Sequence, residues 1–165
     1  MGPNIGPLDH SLEELIMSAK LQTRGPVLPR TTILLAEDDE DDVLLIKAAF
    51  EAARLSFNLM VVRDGEEAID YLHGTGRFAD RTTFPLPFML LLDLKMPQVS
   101  GFEVLSWVRS QRALDQLLVI ILTGSAMESD LKQTEDLGNN AYIVKSSDYQ
   151  QLIYLFQSLK PSHEQ

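Results

Sequence analysis

The sequence predicts an α/β domain built on an open, all-parallel sheet. Three observations carry this: five apolar runs alternate with five helical patterns, the runs lack polar-apolar alternation, and acidic, hydroxyl or basic residues stand where several runs end. Unbroken apolar runs suit parallel strands covered on both faces. Strict alternation with helices suits right-handed crossovers between such strands.

Residues 1–30 form an N-terminal extension. MGPNIGP and RGPVLPR are rich in Gly and Pro, and SLEELIMSAKL lies between them. Ser11 with Glu14 makes a capping-box pattern, and Leu12, Leu15, Ile16 and Ala19 make an apolar stripe, so one appended helix is expected. The main domain, 31–160, opens with a strand at Ile33–Ala36 and a helix at Asp41–Leu55, with Val43, Ile46, Phe50 and Ala53 facing inward. A strand at Asn58–Val62 and a helix at Gly65–Leu72 follow. Gly74–Pro87 then reads as an unusually long loop, and whether its Phe78 and Phe84 dock a partner is open. The third strand is Phe88–Asp93 and its helix Phe102–Gln111. The fourth is Leu117–Leu122, followed by a polar helix at Ser125–Leu137 whose core candidates are Met127, Leu131 and Leu137. Gly138 stops that helix, and Ala141–Val144 is the fifth strand. Ser147 with Gln150 caps a last helix ending near Leu159, with Pro161 beyond it and 161–165 as a polar tail. The expected strand order is the flavodoxin-like 2-1-3-4-5, with an extra N-terminal helix. Its switch point lies between the first and third strands.

Composition narrows the function. At 165 residues the chain holds about one domain. Cysteine is absent, so no disulfide, thiol nucleophile or cysteine metal site is available, and His10, His73 and His163 lack ligand spacing. No apolar run approaches the roughly 20 residues of a membrane span, and no signal-peptide pattern opens the chain. A cytoplasmic protein without a membrane partner is expected. A net charge of -10 repels phosphate backbones and disfavours nucleic acid.

The strand ends carry the chemistry. EDDEDD, Glu37–Asp42, follows the first strand. Asp41 and Asp42 suit a helix start, where the dipole favours acids. Glu37 and Asp38 belong to the strand's carboxyl end and are expected to converge with Asp93 across the switch point. A lone Asp after a strand ordinarily caps a turn; three carboxylates together either raise a pKa or hold a divalent cation. Oxygen ligands alone suit Mg²⁺. Thr123 and Lys145 end the fourth and fifth strands, and a hydroxyl and an ammonium beside Mg²⁺ are parts that phosphoryl transfer requires.

From about Thr31 to Leu159 the chain resembles the response-regulator receiver domain of bacterial two-component signalling. The motifs are Glu37 and Asp38, Asp93 in LLDLKMP, Gly101, Thr123 with Gly124, and Lys145 preceded by Tyr142. The resemblance implies that Asp93 accepts phosphoryl from a histidine kinase. It implies a Mg²⁺ ion on Asp38, Asp93 and the Lys95 backbone carbonyl, with Glu37 acting through water. Lys145 would pair with the phosphoryl oxygens, and Thr123 and Tyr142 would form the switch. The long loop and DGEEAIDYL resemble small stand-alone regulators that partner phytochrome-type kinases. Ser146 stands where the family usually has proline, and Lys95 and Ser125 flank the path of a hydrolytic water and are candidates for tuning phosphoryl lifetime.

With no output domain after Leu159, phosphoryl relay or binding of a separate partner is the expected output. Tyr149, Leu152, Ile153 and Phe156 fit one face of the last helix, leaving Tyr154 and Leu155 aside. Such surplus apolar surface predicts a homodimer through the Ser125–Leu137 helix, the fifth strand and the last helix. A haloacid-dehalogenase-type phosphatase would use similar residues. It requires a second Asp two positions after its nucleophile, where this chain has Lys95. A constitutive interaction module would need neither acceptor nor metal site.

Overall fold

The structure, a computed structural model, describes residues 10–22, 31–124, 127–145 and 149–160. Ser125, Ser146, Ser147 and the Gly- and Pro-rich parts of the extension lie outside them.

Five parallel strands, β1 (Thr32–Ala36), β2 (Asn58–Val62), β3 (Met89–Asp93), β4 (Leu118–Thr123) and β5 (Ala141–Val144), pair in the order β2-β1-β3-β4-β5. The expected order is therefore the observed one. β1, β3 and β4 are buried at every position, which is why their sequences read as unbroken apolar runs. Successive side chains alternate between two cores. Ile33, Leu35, Met89, Leu91, Ile120 and Leu122 face helices α1 (His10–Gln22), α2 (Glu40–Ala53) and α6 (Gln150–Ser158). Leu34, Ala36, Leu90, Leu92, Val119 and Ile121 face α3 (Gly65–His73) and α4 (Gly101–Ser110), against which α5 (Glu128–Leu137) also packs.

Three local expectations need correction. Helix α1 begins at His10, so Ser11 lies inside it and the Ser11–Glu14 pattern does not mark its start. The apolar stripe is as expected: Leu12, Leu15, Ile16 and Ala19 are buried in the core that α6 and β5 share. Leu155 is fully buried in this same core and is not surplus surface. Helical periodicity left it aside because α6 packs against two helices, α2 and α1, and so buries more than one stripe.

Helix α5 departs from its expected core. Met127 is 61% exposed and Leu131 is only half-buried; the helix buries Thr134 alone. The Thr134 hydroxyl turns back to the Asp130 and Leu131 carbonyls. Its far end is better held. Gly138 ends the helix in the left-handed region, and Arg109 on α4 donates to the Gly138 carbonyl at 2.8 Å and the Leu117 carbonyl at 3.1 Å. The result is a helix fixed at its C-terminus and lightly anchored toward the strand ends.

The Gly74–Pro87 segment is more ordered than its sequence suggests. It contains a short 3-10 turn at Gly76–Phe78, and Arg81 donates to the Tyr71 and Leu72 carbonyls at the end of α3 and to the Phe84 carbonyl. Phe78 is buried against Tyr71 and Phe84, with ring centroids 5.1 Å apart in each pair, and the Tyr71 hydroxyl donates to the Pro85 carbonyl. These aromatics close the α3 side of the second core.

Candidate functional site

All the strand-end residues singled out from sequence, Glu37, Asp38, Asp93, Thr123 and Lys145, line one open cleft at the carboxyl edge of the sheet. Their convergence follows from parallel pairing. β1 and β3 are neighbours in register, so residues just beyond Ala36 meet Asp93 at the end of β3. Glu37 continues the ladder through its N–H to the Val62 carbonyl and buries its side chain completely; Asp38 stays exposed. Asp93 is 5% exposed, and its Oδ1 accepts from the Lys95 backbone N–H at 3.3 Å. The Lys95 side chain is exposed at the rim of the cleft. Thr123 is buried at the end of β4, and its carbonyl accepts from the Lys145 N–H at 2.7 Å. Tyr142 is half-buried on β5 and shares a side-chain hydrogen bond with Thr123.

One ammonium serves three carboxylates. Lys145 Nζ lies 2.6 Å from Glu37 Oε2, 3.0 Å from Asp42 Oδ2 and 3.5 Å from Asp93 Oδ2. The Tyr149 hydroxyl donates to the other Asp42 oxygen at 2.6 Å. Burial pushes the Glu37 carboxyl up to about 7, reinforced by the Asp93 charge and opposed by Lys145. Burial likewise raises Asp93, with Lys145 acting against it. Desolvation would lower the Lys145 ammonium, but its carboxylate partners outweigh that and hold it above the ordinary lysine value. Asp42 is the opposite case: burial acts to raise it, and the bonds from Tyr149 and Lys145 bring it below the usual range.

The donor set fits a hard divalent cation. One carboxylate oxygen each from Glu37, Asp38 and Asp93 fall within 4.8 Å of one another. Burial raises two of those carboxyls, and a cation seated among them would favour their charged forms. Carboxylate ligands without nitrogen or sulfur match Mg²⁺ or Mn²⁺ chemistry.

Asp42 and Tyr149 were missed from sequence. An acid at a helix start already has a reason to be there in the dipole. The available signal was periodic: Asp42 precedes Ile46 by four residues and Ala49 by seven, on the stripe that α2 buries.

Two glycines hold the loop after β3. A Cβ on Gly101 would collide with the Asp93 carbonyl oxygen, and one on Gly65 with the Val99 carbonyl oxygen. The Gly101 N–H also donates to the Leu94 carbonyl at 2.9 Å. Gly101→Ala must displace the backbone that carries Asp93, so we expect a loss of about 1–3 kcal/mol in denaturant unfolding. Mg²⁺ affinity, read by titration, should fall with it, and an unchanged affinity would show that the loop yields elsewhere.

The response regulator receiver domain model matches residues 33–157. Response regulator Rcp1 of Synechocystis is 30% identical over 132 residues, covering 80% of this chain and 88% of Rcp1. The probable methanogenesis regulatory protein FilR2 of Methanothrix harundinacea is 35% identical over 131 residues, covering 78% of this chain and 80% of FilR2. Among solved structures, the phosphorylated cyanobacterial phytochrome response regulator RcpA is 34% identical, with a TM-score of 0.70 over 79% of this chain and 91% of RcpA. The Mn²⁺-bound form of Rcp1 superposes with a TM-score of 0.68 at 30% identity, over 78% of this chain and 91% of Rcp1.

Proposed function

The chain belongs to the response-regulator receiver family, and from that premise we propose that it accepts a phosphoryl group on Asp93 from a histidine kinase of the phytochrome type and signals by a change of surface. The observation that carries this reading is the pairing of a buried acceptor, Asp93, with a converging carboxylate set and the shared Lys145 ammonium. RcpA has been solved phosphorylated and Rcp1 with Mn²⁺, which supports the same chemistry here.

An Asp93 carboxylate oxygen attacks the phosphorus of a phosphohistidine. The P–O bond forms as the P–N bond breaks, and the departing imidazole keeps the nitrogen lone pair. Lys145, within reach of Asp93, pairs with the phosphoryl oxygens, and the Thr123 hydroxyl donates to one of them. Asp38, Asp93 and the Lys95 carbonyl would hold Mg²⁺, with Glu37 acting through water. The bound ion supplies charge neutralisation for the anionic donor.

Phosphorylation adds close to two negative charges and three acceptor oxygens. Drawing Thr123 toward them breaks its bond with Tyr142, and the lightly anchored N-terminal end of α5 is the inexpensive element to shift. We assign residues 31–160 to the receiver domain, with 1–30 as its extension and 161–165 as a tail. The net charge of -10 disfavours nucleic acid as the target. No described helix is long and apolar enough to cross a membrane.

A homodimer through α5, β5 and α6 remains part of this reading, with α1 as a contributor. Met17 and Leu21 are 63% and 74% exposed on α1, and Val144 is partly exposed on the edge strand β5. Sedimentation with and without beryllofluoride should show a dimer in at least one state; a monomer in both would contradict it. Lys95 and Ser125 are assigned to phosphoryl lifetime. Lys95→Ala should change the dephosphorylation rate, and a rate equal to wild type would remove that role from Lys95. The proposal as a whole is tested by incubating the chain with an autophosphorylated phytochrome-type histidine kinase. Label should pass to the chain and be lost in Asp93→Asn, whereas persistent labelling of that variant would reject the assignment.

A further inference from the structure

Receiver chemistry as set out above gives Asp42 no role, yet this residue is nearer to the Lys145 ammonium than the acceptor is, 3.0 Å against 3.5 Å. It is held there. Its Oδ1 takes the 2.6 Å hydrogen bond from the Tyr149 hydroxyl, which leaves Oδ2 for the ammonium. Asp42 sits in the first turn of α2 with its side chain about one quarter exposed, so without that anchor it has water available to it. Tyr149, at the start of α6, has a φ of 48°, a left-handed conformation seldom adopted by residues with a Cβ. Both of these partners, Lys145 and Tyr149, come from the segment after β5.

We propose that Asp42 is a positioning residue that competes with Asp93 for the Lys145 ammonium, drawing it aside in the resting protein and yielding it when Asp93 carries a phosphoryl group. The inference rests on the acceptor role of Asp93 proposed above. An ammonium has three donors and no fixed fork, so it redistributes among neighbouring anions according to their charge. In the resting site each competitor carries at most one negative charge. A phosphoryl group brings nearly two, together with three oxygens, and draws the ammonium from the partly exposed Asp42 carboxylate, while the buried Glu37, at 2.6 Å, keeps its contact. Asp42 then loses its cation and keeps only the Tyr149 hydroxyl. The start of α6, in the core shared with α1, therefore senses the state of the acceptor by a route separate from Thr123 and Tyr142.

The test is the affinity for beryllofluoride with Mg²⁺, followed by ¹⁹F NMR, in the wild type, Asp42→Asn, Lys145→Gln and the double variant. Asparagine keeps the shape and the acceptor for Tyr149 but gives up the claim on the ammonium. Asp42→Asn should bind about three- to tenfold more tightly than wild type, the range of a partly exposed ion pair, and the gain should vanish when Lys145 is glutamine. An unchanged or weaker affinity in Asp42→Asn would overturn the proposal. So would an undiminished gain in the Lys145→Gln background, since Asp42 would then act by charge repulsion alone. Should Lys145→Gln fail to fold, the Asp42 carboxyl ¹³C resonance of the wild type replaces it: it should shift on beryllofluoride addition, and an unmoved resonance would overturn the proposal. A wild-type protein that binds no beryllofluoride would instead reject the acceptor role of Asp93, a failure distinct from the other outcomes.

Discussion

Asp93→Asn is expected to take no phosphoryl group from any donor and, with metal removed, to be more stable than the wild type. Loss of the adduct follows because the amide nitrogen and oxygen cannot form the acyl phosphate that the carboxylate forms. The gain in stability has a separate origin. Burial raises both the Asp93 and the Glu37 carboxyls, and the Asp93 charge raises Glu37 further, so ionised Asp93 is disfavoured in the metal-free fold. Asparagine removes that charge, keeps the side-chain volume and can still accept from the Lys95 N–H. It gives up the 3.5 Å approach to Lys145, which keeps its shorter contacts to Glu37 and Asp42. A gain of about 1–2 kcal/mol in denaturant unfolding with EDTA is expected. A destabilised variant would mean that the Asp93 charge is a net attraction in the resting site.

The second large effect is a dependence of metal-free stability on pH. Glu37 has its carboxyl raised from 4.5 to about 7 in the folded protein. Between these values the folded protein retains a proton that the unfolded chain has lost, so stability falls as pH rises through this window and is level above it. The span corresponds to on the order of 3 kcal/mol from this fully buried side chain. Saturating Mg²⁺ stabilises the ionised carboxylates and should flatten the slope. Thermal or denaturant unfolding at pH 5, 6, 7 and 8, with EDTA and with Mg²⁺, reads the effect directly. Stability that rises with pH across this window in EDTA would contradict the assigned electrostatics. Glu37→Gln should lose most of the slope.

The strand ends were legible because parallel topology converts five separate sequence positions into one place. Each of β1, β3, β4 and β5 stops at, or just before, a residue whose polarity its own apolar run cannot explain, and the strand order then gathers Glu37, Asp38, Asp93, Thr123 and Lys145. Residues with a sufficient local reason were harder to read. Asp42 satisfies a helix dipole, and its contacts with Lys145 and Tyr149 span more than one hundred residues. Leu155 looks surplus on α6 until both α1 and α2 are placed beside that helix. Met127 has the polarity of a core residue, but its place as the N-cap of α5 leaves it in solvent. The Gly74–Pro87 segment reads as polar and irregular because nothing in its composition shows that the Arg81 guanidinium reaches the carbonyls at the end of α3.

Asp93 is proposed here as a Mg²⁺-dependent phosphoacceptor. Its most direct test is intact-mass analysis after incubation with acetyl phosphate, with Mg²⁺ or with EDTA, followed by borohydride reduction and peptide mapping. The expected result is a single phosphoryl adduct formed only with Mg²⁺ and a homoserine at position 93 after reduction. An adduct independent of the metal or located at another residue would contradict it, as would no adduct with either acetyl phosphate or a phosphorylated kinase.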